Sequence, residues 1–233
     1  VAVVASSVLP AVGLSAMGFD DDNSKKKENW YQVATGKKGI PLRQKTVKYD
    51  VAVVGAGMAG ICAAIASARN GANTVLIQDR PVLGGNASSE IRVTVNGVQG
   101  LKGKQKIERE TGIIEEILIS NWHYNPQESY PVWDHVLYDF VMKEPKLTLM
   151  LNTQAVDVEM KGDKIKSVIC WQSTTEMEFT ISAEIFNDCS GDGLMAAKAG
   201  AEYRTGREGK AEFDESFAPE KPDRTELLIS EGS

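Results

Sequence analysis

Tyr49-Asp50-Val51-Ala52-Val53-Val54-Gly55-Ala56-Gly57-Met58-Ala59-Gly60 is the stretch on which the fold turns. It opens as a short apolar run rich in β-branched residues, the pattern of a strand buried on both faces. It then passes through three glycines spaced Gly-x-Gly-x-x-Gly. Ile61 to Asn70 follows, rich in alanine, and reads as a helix stopped by Gly71. Thr74-Val75-Leu76-Ile77 is a second buried strand. Strand, helix and strand at this length make a βαβ unit.

That context gives the glycines a chemical meaning. Gly55 permits the tight turn, Gly57 lets main chain approach a pyrophosphate, and Gly60 lets the helix pack closely on the strand. The amides and dipole at the helix start favour phosphate charge. In this pattern an acidic residue at the end of the second strand holds a ribose. Here Gln78 stands in that place and Asp79 follows it. The Gln78 amide can hydrogen-bond a ribose hydroxyl, and Asp79 can do so as a carboxylate if the chain turns.

Further along, the alternation of elements continues. Arg80 to Ser89 is a glycine-containing loop, and Ile91 to Val98 is a candidate strand. Glu108 to Trp122 and Pro131 to Lys143 carry apolar residues at helical spacing, the second opening on a proline. Leu147 to Leu151 reads as a strand. Ala155 to Met160, Lys164 to Gln172 and Glu176 to Ile181 read as three short strands, with Lys161-Gly162-Asp163 as a hairpin turn. Ala183 to Asp188 is a strand that runs into Cys189-Ser190-Gly191-Asp192-Gly193, and Leu194 to Ala199 is a short helix. The expected fold class is α/β, a Rossmann-like doubly wound domain with an inserted three-stranded β-meander.

Two later constellations extend the first. Arg80-Pro81-Val82-Leu83-Gly84-Gly85-Asn86-Ala87-Ser88-Ser89-Glu90 has adjacent glycines that admit backbone close to a bulky ligand, with Asn86 and Ser88 as neutral hydrogen-bonding groups. Asp188–Gly193 puts small residues at the carboxyl edge of the sheet, where ligands bind in such folds.

Taken in order, these motifs resemble the FAD-dependent oxidoreductases with a glutathione-reductase-type FAD domain. More narrowly they resemble a bacterial group, some of whose members carry a xanthan lyase label. The resemblance rests on Tyr49–Gly60, Gln78–Glu90 and Asp188–Gly193 with Leu194-Met195-Ala196-Ala197, and runs from about Val47 to the end. It implies FAD as cofactor. Amides near Gly57, Met58 and Ala59 would face the pyrophosphate, and Gln78 or Asp79, beside Arg80, would meet the adenosine ribose. Gly84, Gly85, Asn86 and Ser88 would run along the pyrophosphate and ribityl chain. The Ala155 backbone would contact adenine, and Ser190, Gly191 and Asp192 would close over the cofactor. The activity implied is hydride transfer between flavin and a small-molecule substrate, a carbohydrate-related compound being one candidate. No basic-aromatic groove with a Tyr/His pair supports the lyase chemistry. A NAD(P)-dependent dehydrogenase and a non-catalytic flavin- or nucleotide-binding protein remain as alternatives.

The sequence names no catalytic residue. Glu90 and Arg92 project to the same side if Ser89–Val95 is a strand, as a flavin-facing pair or as a surface ion pair.

Composition bounds the rest. The 233 residues are 42% hydrophobic and 25% charged, ordinary for a globular protein. A net charge of −6 argues against a nucleic-acid partner. Cys62, Cys170 and Cys189 form no Cys-x-x-Cys pair, and His123 and His135 lack metal-ligand spacing, so no metal is expected. Val1 to Leu14 is apolar and leads into Ser15-Ala16-Met17-Gly18. Residues 1–18 therefore read as the remains of a signal peptide and imply an exported, periplasmic protein, with a cytoplasmic one as the alternative if that reading is wrong. That run is shorter than the roughly 20 residues a membrane span needs, so no stable insertion of the mature chain is expected. Residues 19–46 read as a polar linker and 47–233 as the N-terminal portion of an FAD-binding domain, truncated before a substrate domain. No feature speaks to oligomeric state.

Overall fold

The structure is a computed structural model that describes residues 43–95 and 110–223. The apolar segment read as a signal, residues 1–18, lies outside the described residues.

Among the described residues, eight strands and five α-helices follow one another: β1 Arg43–Lys48, β2 Val51–Val54, α1 Met58–Arg69, β3 Thr74–Ile77, α2 Ile113–Tyr124, α3 Tyr130–Met142, β4 Leu147–Met150, β5 Thr153–Lys161, β6 Lys164–Gln172, β7 Met177–Ser182, β8 Ile185–Asp188, α4 Leu194–Lys198 and α5 Lys210–Phe213. They build two four-stranded sheets. One is wholly parallel, in the order β4-β3-β2-β8. Strands β5, β6 and β7 leave the chain between β4 and β8 and pair antiparallel in sequence. Strand β1 then adds to the outer edge of β7 in parallel, giving the order β1-β7-β6-β5.

Period-two alternation splits the buried strands between two cores. Val53 and Leu76 point towards α1, α2 and α3, meeting Ile61, Ile65, Ile117, Trp133, Leu137 and Val141. Ala52, Val54, Val75 and Ile77 point the other way, onto Val168, Cys170, Phe179 and Ile181 of the second sheet. This refines the doubly wound expectation. Helices α1–α3 cover one face of the parallel sheet, and the second sheet covers the other.

Helix α1 buries Ile61, Ala64, Ile65 and Ala68, an i, i+3, i+4, i+7 stripe. Each buried isoleucine contributes roughly 1.5–3 kcal/mol, which outweighs the roughly 1 kcal/mol that Gly60 costs inside a helix. The helix ends where Gly71 turns at φ +99°, with the amides of Gly71 and Ala72 returning to the carbonyls of Ala68 and Ser67.

Three sequence expectations are corrected. The folded part begins at Arg43, inside the segment read as linker, because β1 pairs with β7 along its whole length. The second sheet therefore has four strands and not three. No strand forms at Ile91–Val95: Ile91 lies in a turn, Arg92 takes φ +65°, and the rest of that expected strand lies outside the described residues. The second helix starts at Ile113, later than Glu108, after Gly112 at φ +73°.

Candidate functional site

Strands β2, β3 and β8 all end at the same edge of the parallel sheet, and each hands its chain to a glycine- or polar-rich turn. Where strands of an open parallel sheet end together, the diverging turns leave a crevice. Here it is a cleft of about 1310 Å³, lined by residues 54–59, 77–80, 84–88, 153–155 and 189–192 together with part of the Glu90–Val95 loop and Tyr203–Thr205. That exceeds the roughly 300–1,000 Å³ of pockets for drug-sized ligands and suits an extended dinucleotide.

The first glycine turn is close-packed except at one point. Gly55 sits at φ +96°, and a Cβ there would lie 2.1 Å from the Cys189 carbonyl oxygen. A Cβ on Gly60 would lie 1.9 Å from the Gly55 carbonyl oxygen. Gly60 lines no part of the cleft; it brings α1 down onto the turn. Gly57 is the opposite case. At φ −65° it has nothing within 4 Å of a Cβ position, so this face of the turn is open to the cleft. Met58 and Ala59 follow at the cleft wall, in the first turn of α1, where helical amides lack intrahelical partners.

The second glycine turn lies directly against the first. Gly84 and Gly57 form a parallel backbone bridge, and the Gly84 amide donates to the Ala56 carbonyl at 2.8 Å. Gly84 takes φ +108° and Gly85 φ +57°, and a Cβ on Gly85 would stand 3.1 Å from the Gly57 Cα. A single 3₁₀ turn, Gly85–Ala87, then carries Asn86 and Ser88 along the cleft wall. Trp133 of α3 fixes this turn from behind, its indole Nε1 donating to the Ala87 carbonyl at 2.8 Å.

Gln78 is used differently from the ribose contact expected of it. Only 5% exposed, it accepts the Ala56 amide on Oε1 at 2.9 Å and donates from Nε2 to the Val82 carbonyl at 3.1 Å. Its amide ties the first glycine turn to the loop that leads into the second. Asp79, the next residue, is exposed at the cleft. Arg80 donates to both carboxylate oxygens of Glu90, at 2.8 and 2.9 Å, and this contact holds the Glu90 carboxyl below its ordinary range. Glu90 is thus paired with Arg80 and not with Arg92. Arg92 instead lies over the Tyr130 ring and donates to the Ser89 carbonyl.

Across the cleft, Asp188 organises the third turn. Its Oδ1 accepts the Ser190 hydroxyl at 2.6 Å and the Ser190 amide at 3.1 Å, and its Oδ2 accepts the Ala196 amide at 2.8 Å. Burial pushes this carboxyl up, but hydrogen bonds from the Ser190 hydroxyl and from the amides of Ala196, Ser190 and Met195 outweigh it and hold the group below its usual range. Ser190 Oγ also accepts the Leu194 amide at 3.0 Å. Ser190, Gly191 and Asp192 therefore stand on a rigid base at the cleft edge. Burial pushes up the thiols here and in the cores: Cys62, Cys189 (helped by Asp188) and Cys170, the last to about 12.

The cleft thus brings together Gly55, Gly57, Met58, Ala59, Gln78, Asp79, Arg80, Gly84, Gly85, Asn86, Ser88, Ala155, Ser190, Gly191 and Asp192. Ala155 lies on β5 beside a register shift in its pairing with β6. Thr153, Gln154 and Tyr203–Thr205 also line it, without any motif that marks them. Tyr203–Thr205 lie in a tail with no periodicity to read.

A parallel sheet with a glycine turn, an open Gly57 and a helix start at a crevice of this size defines a Rossmann-like dinucleotide-binding domain. Residues 50–227 match the family model described as FAD dependent oxidoreductase, and the chain belongs to that family. Its cofactor is FAD. The open Gly57 face and the amides at the start of α1 fit that group. Among solved structures the chain is similar to THI4 from Thermovibrio ammonificans (15% identity, 75% of this chain and 76% of that one, TM-score 0.46). It is also similar to a geranylgeranyl bacteriochlorophyll reductase-like protein from Thermoplasma acidophilum (19%, 68% and 43%, TM-score 0.44) and to L-proline dehydrogenase from P. horikoshii (20%, 66% and 24%, TM-score 0.39). The chain spans less than half the length of the last two.

Proposed function

We propose that this chain forms the FAD-holding part of an oxidoreductase that passes two electrons between a small-molecule substrate and FAD. The observation that carries the reading is the main-chain contact of the two glycine turns, Gly57 against Gly84, with the open Gly57 face between them and the cleft. When bound, FAD supplies the redox chemistry, and the protein's part is to hold and orient it.

The chain's own residues divide that work. The amides of Gly57, Met58 and Ala59 and the dipole of α1 stabilise the pyrophosphate charge. Asp79 and Arg80 meet the adenosine ribose, with Gln78 behind them. Gly84, Gly85, Asn86 and Ser88 track the pyrophosphate and ribityl chain, the Ala155 backbone contacts adenine, and Ser190, Gly191 and Asp192 close over the cofactor. A carbohydrate-related compound is one candidate substrate. The apolar Val1–Leu14 run supports an exported, periplasmic protein. Among the described residues, no helix is long and apolar enough to cross a membrane.

The test is anaerobic mixing of the full-length protein with a panel of small-molecule reductants, followed by absorbance near the flavin maximum. Bleaching by a specific donor supports the reading. A flavin that dithionite bleaches but that no small-molecule donor in the panel bleaches contradicts it.

A further inference from the structure

Gln78 stands where this type of fold places an acid, and its surroundings give a reason for the exchange. Two backbone groups of opposite kind meet its head: the Ala56 N–H, which needs an acceptor, and the Val82 carbonyl, which needs a donor. A neutral amide satisfies both. A carboxylate satisfies the first and sets its second oxygen against the Val82 carbonyl oxygen, in a site where Gln78 is only 5% exposed.

We infer that Gln78 is a positioning residue whose neutral amide sets the distance between the two glycine turns, and so shapes the pyrophosphate part of the cleft. The Ala56 amide that it holds belongs to the same peptide run whose carbonyl receives the Gly84 amide. Val82 lies two residues before Gly84. Gln78 and the Gly57–Gly84 bridge therefore close a ring of backbone contacts, and loosening one side releases the other. This deepens the FAD reading of the cleft and rests on it, but the ring itself belongs to the folded chain and can be tested without cofactor.

The diagnostic substitution is Gln78→Glu, which keeps shape and adds a titration. Protonated, the glutamic acid accepts from Ala56 and donates to Val82, as glutamine does. Ionised, it loses the donor. Burial and the facing carbonyl raise its folded pKa above the unfolded value of about 4.3. For a group shifted up, stability is complete below the unfolded pKa and is lost as pH rises through the folded pKa. The other titratable or charged groups that line this cleft are Asp79, Arg80, Glu90, Cys189, Asp192, Tyr203 and Arg204. They are shared by the wild-type protein, so the variant-minus-wild-type difference at each pH isolates position 78.

The experiment uses the full-length protein, its Q78E and Q78L variants, and two readouts from pH 5 to pH 8: the urea midpoint of the cofactor-stripped protein, and the FAD dissociation constant. We expect Q78E at pH 8 to show a lower midpoint and roughly tenfold weaker FAD binding, the effect of one buried hydrogen-bonding group left unmatched. At pH 5, just above the unfolded value, the gap to wild type should narrow. Q78L should stay impaired at both pH values. A Q78E protein that fails to fold at pH 8 but regains its melting transition after dialysis to pH 5 gives the same answer more strongly. A Q78E gap that does not change with pH, no gap at all, or no recovery at pH 5 overturns the inference. Wild-type protein that takes up no FAD overturns the cofactor reading instead, and leaves the urea series to decide the role of Gln78.

Discussion

Gly57 and Gly84 lie side by side as a parallel backbone bridge, although 27 residues separate them in the chain, and the Gly84 amide donates to the Ala56 carbonyl at 2.8 Å. This contact makes one cofactor wall out of two loops. It also separates close-packed glycines from an open one, because a Cβ meets main chain at some positions and open cleft at another.

Gly57 is the open glycine, which we propose serves binding. A Cβ there has nothing within 4 Å, and φ −65° is open to any L residue. Gly57→Leu should keep the wild-type melting temperature within a few degrees and abolish flavin uptake, because its side chain occupies the cleft. Flavin content and thermal unfolding of the same preparation check both halves. Unchanged flavin content would show that the turn is misread.

Gly60 is the folding glycine. Its Cβ would stand 1.9 Å from the Gly55 carbonyl oxygen, so helix or turn must move. Gly60→Ala should destabilise the protein by about 1–3 kcal/mol, the range for overpacked sites, despite the better helix propensity of alanine. Urea denaturation measures it. A variant as stable as wild type would mean that α1 does not pack on the turn as described.

Asp188 should give the protein an acid-sensitive element. Its carboxyl is held below the ordinary range in the folded chain, so its contribution is present above the unfolded pKa of about 3.9 and is lost as pH falls through the lower folded value. Asp188→Asn, with one side-chain acceptor in place of two, should cost about 1 kcal/mol at pH 7, as lost helix caps do. The difference from wild type should shrink below pH 4. Urea midpoints from pH 3 to pH 7 test this, and a difference that stays constant down to pH 3 would count against the hydrogen-bonded turn.

The cysteines should be slow to alkylate. Burial raises all three thiols, Cys170 to about 12, and the thiolate is the nucleophile. Iodoacetamide labelling read by mass spectrometry at pH 7.5 should leave Cys170 unmodified in the native protein and modify it once the protein unfolds in urea. Rapid native labelling of Cys170 would contradict its burial.

Much of this was legible in the sequence, for physical reasons that differ by element. Val51–Val54 and Thr74–Ile77 are buried on both faces, so composition alone marks them as strands. The spacing of Gly55, Gly57 and Gly60 then identifies the turn. Strand β1 was hidden because Arg43–Lys48 is mostly exposed at a sheet edge and carries no apolar alternation. The role of Gln78 was hidden because one of its partners is a backbone carbonyl, which leaves no mark in a sequence. The Glu90–Arg80 pair was missed because an expected strand at Ile91 placed Arg92 beside Glu90, whereas Arg92 turns at φ +65°. Tyr203–Thr205 reach the cleft through tertiary folding of a segment without periodicity.

The most direct test is the cofactor itself. The full-length protein, purified without added flavin, should be yellow, and denaturation should release FAD, identified by chromatography against FMN, at close to one equivalent per chain. A colourless protein that also takes up no added FAD would contradict the account.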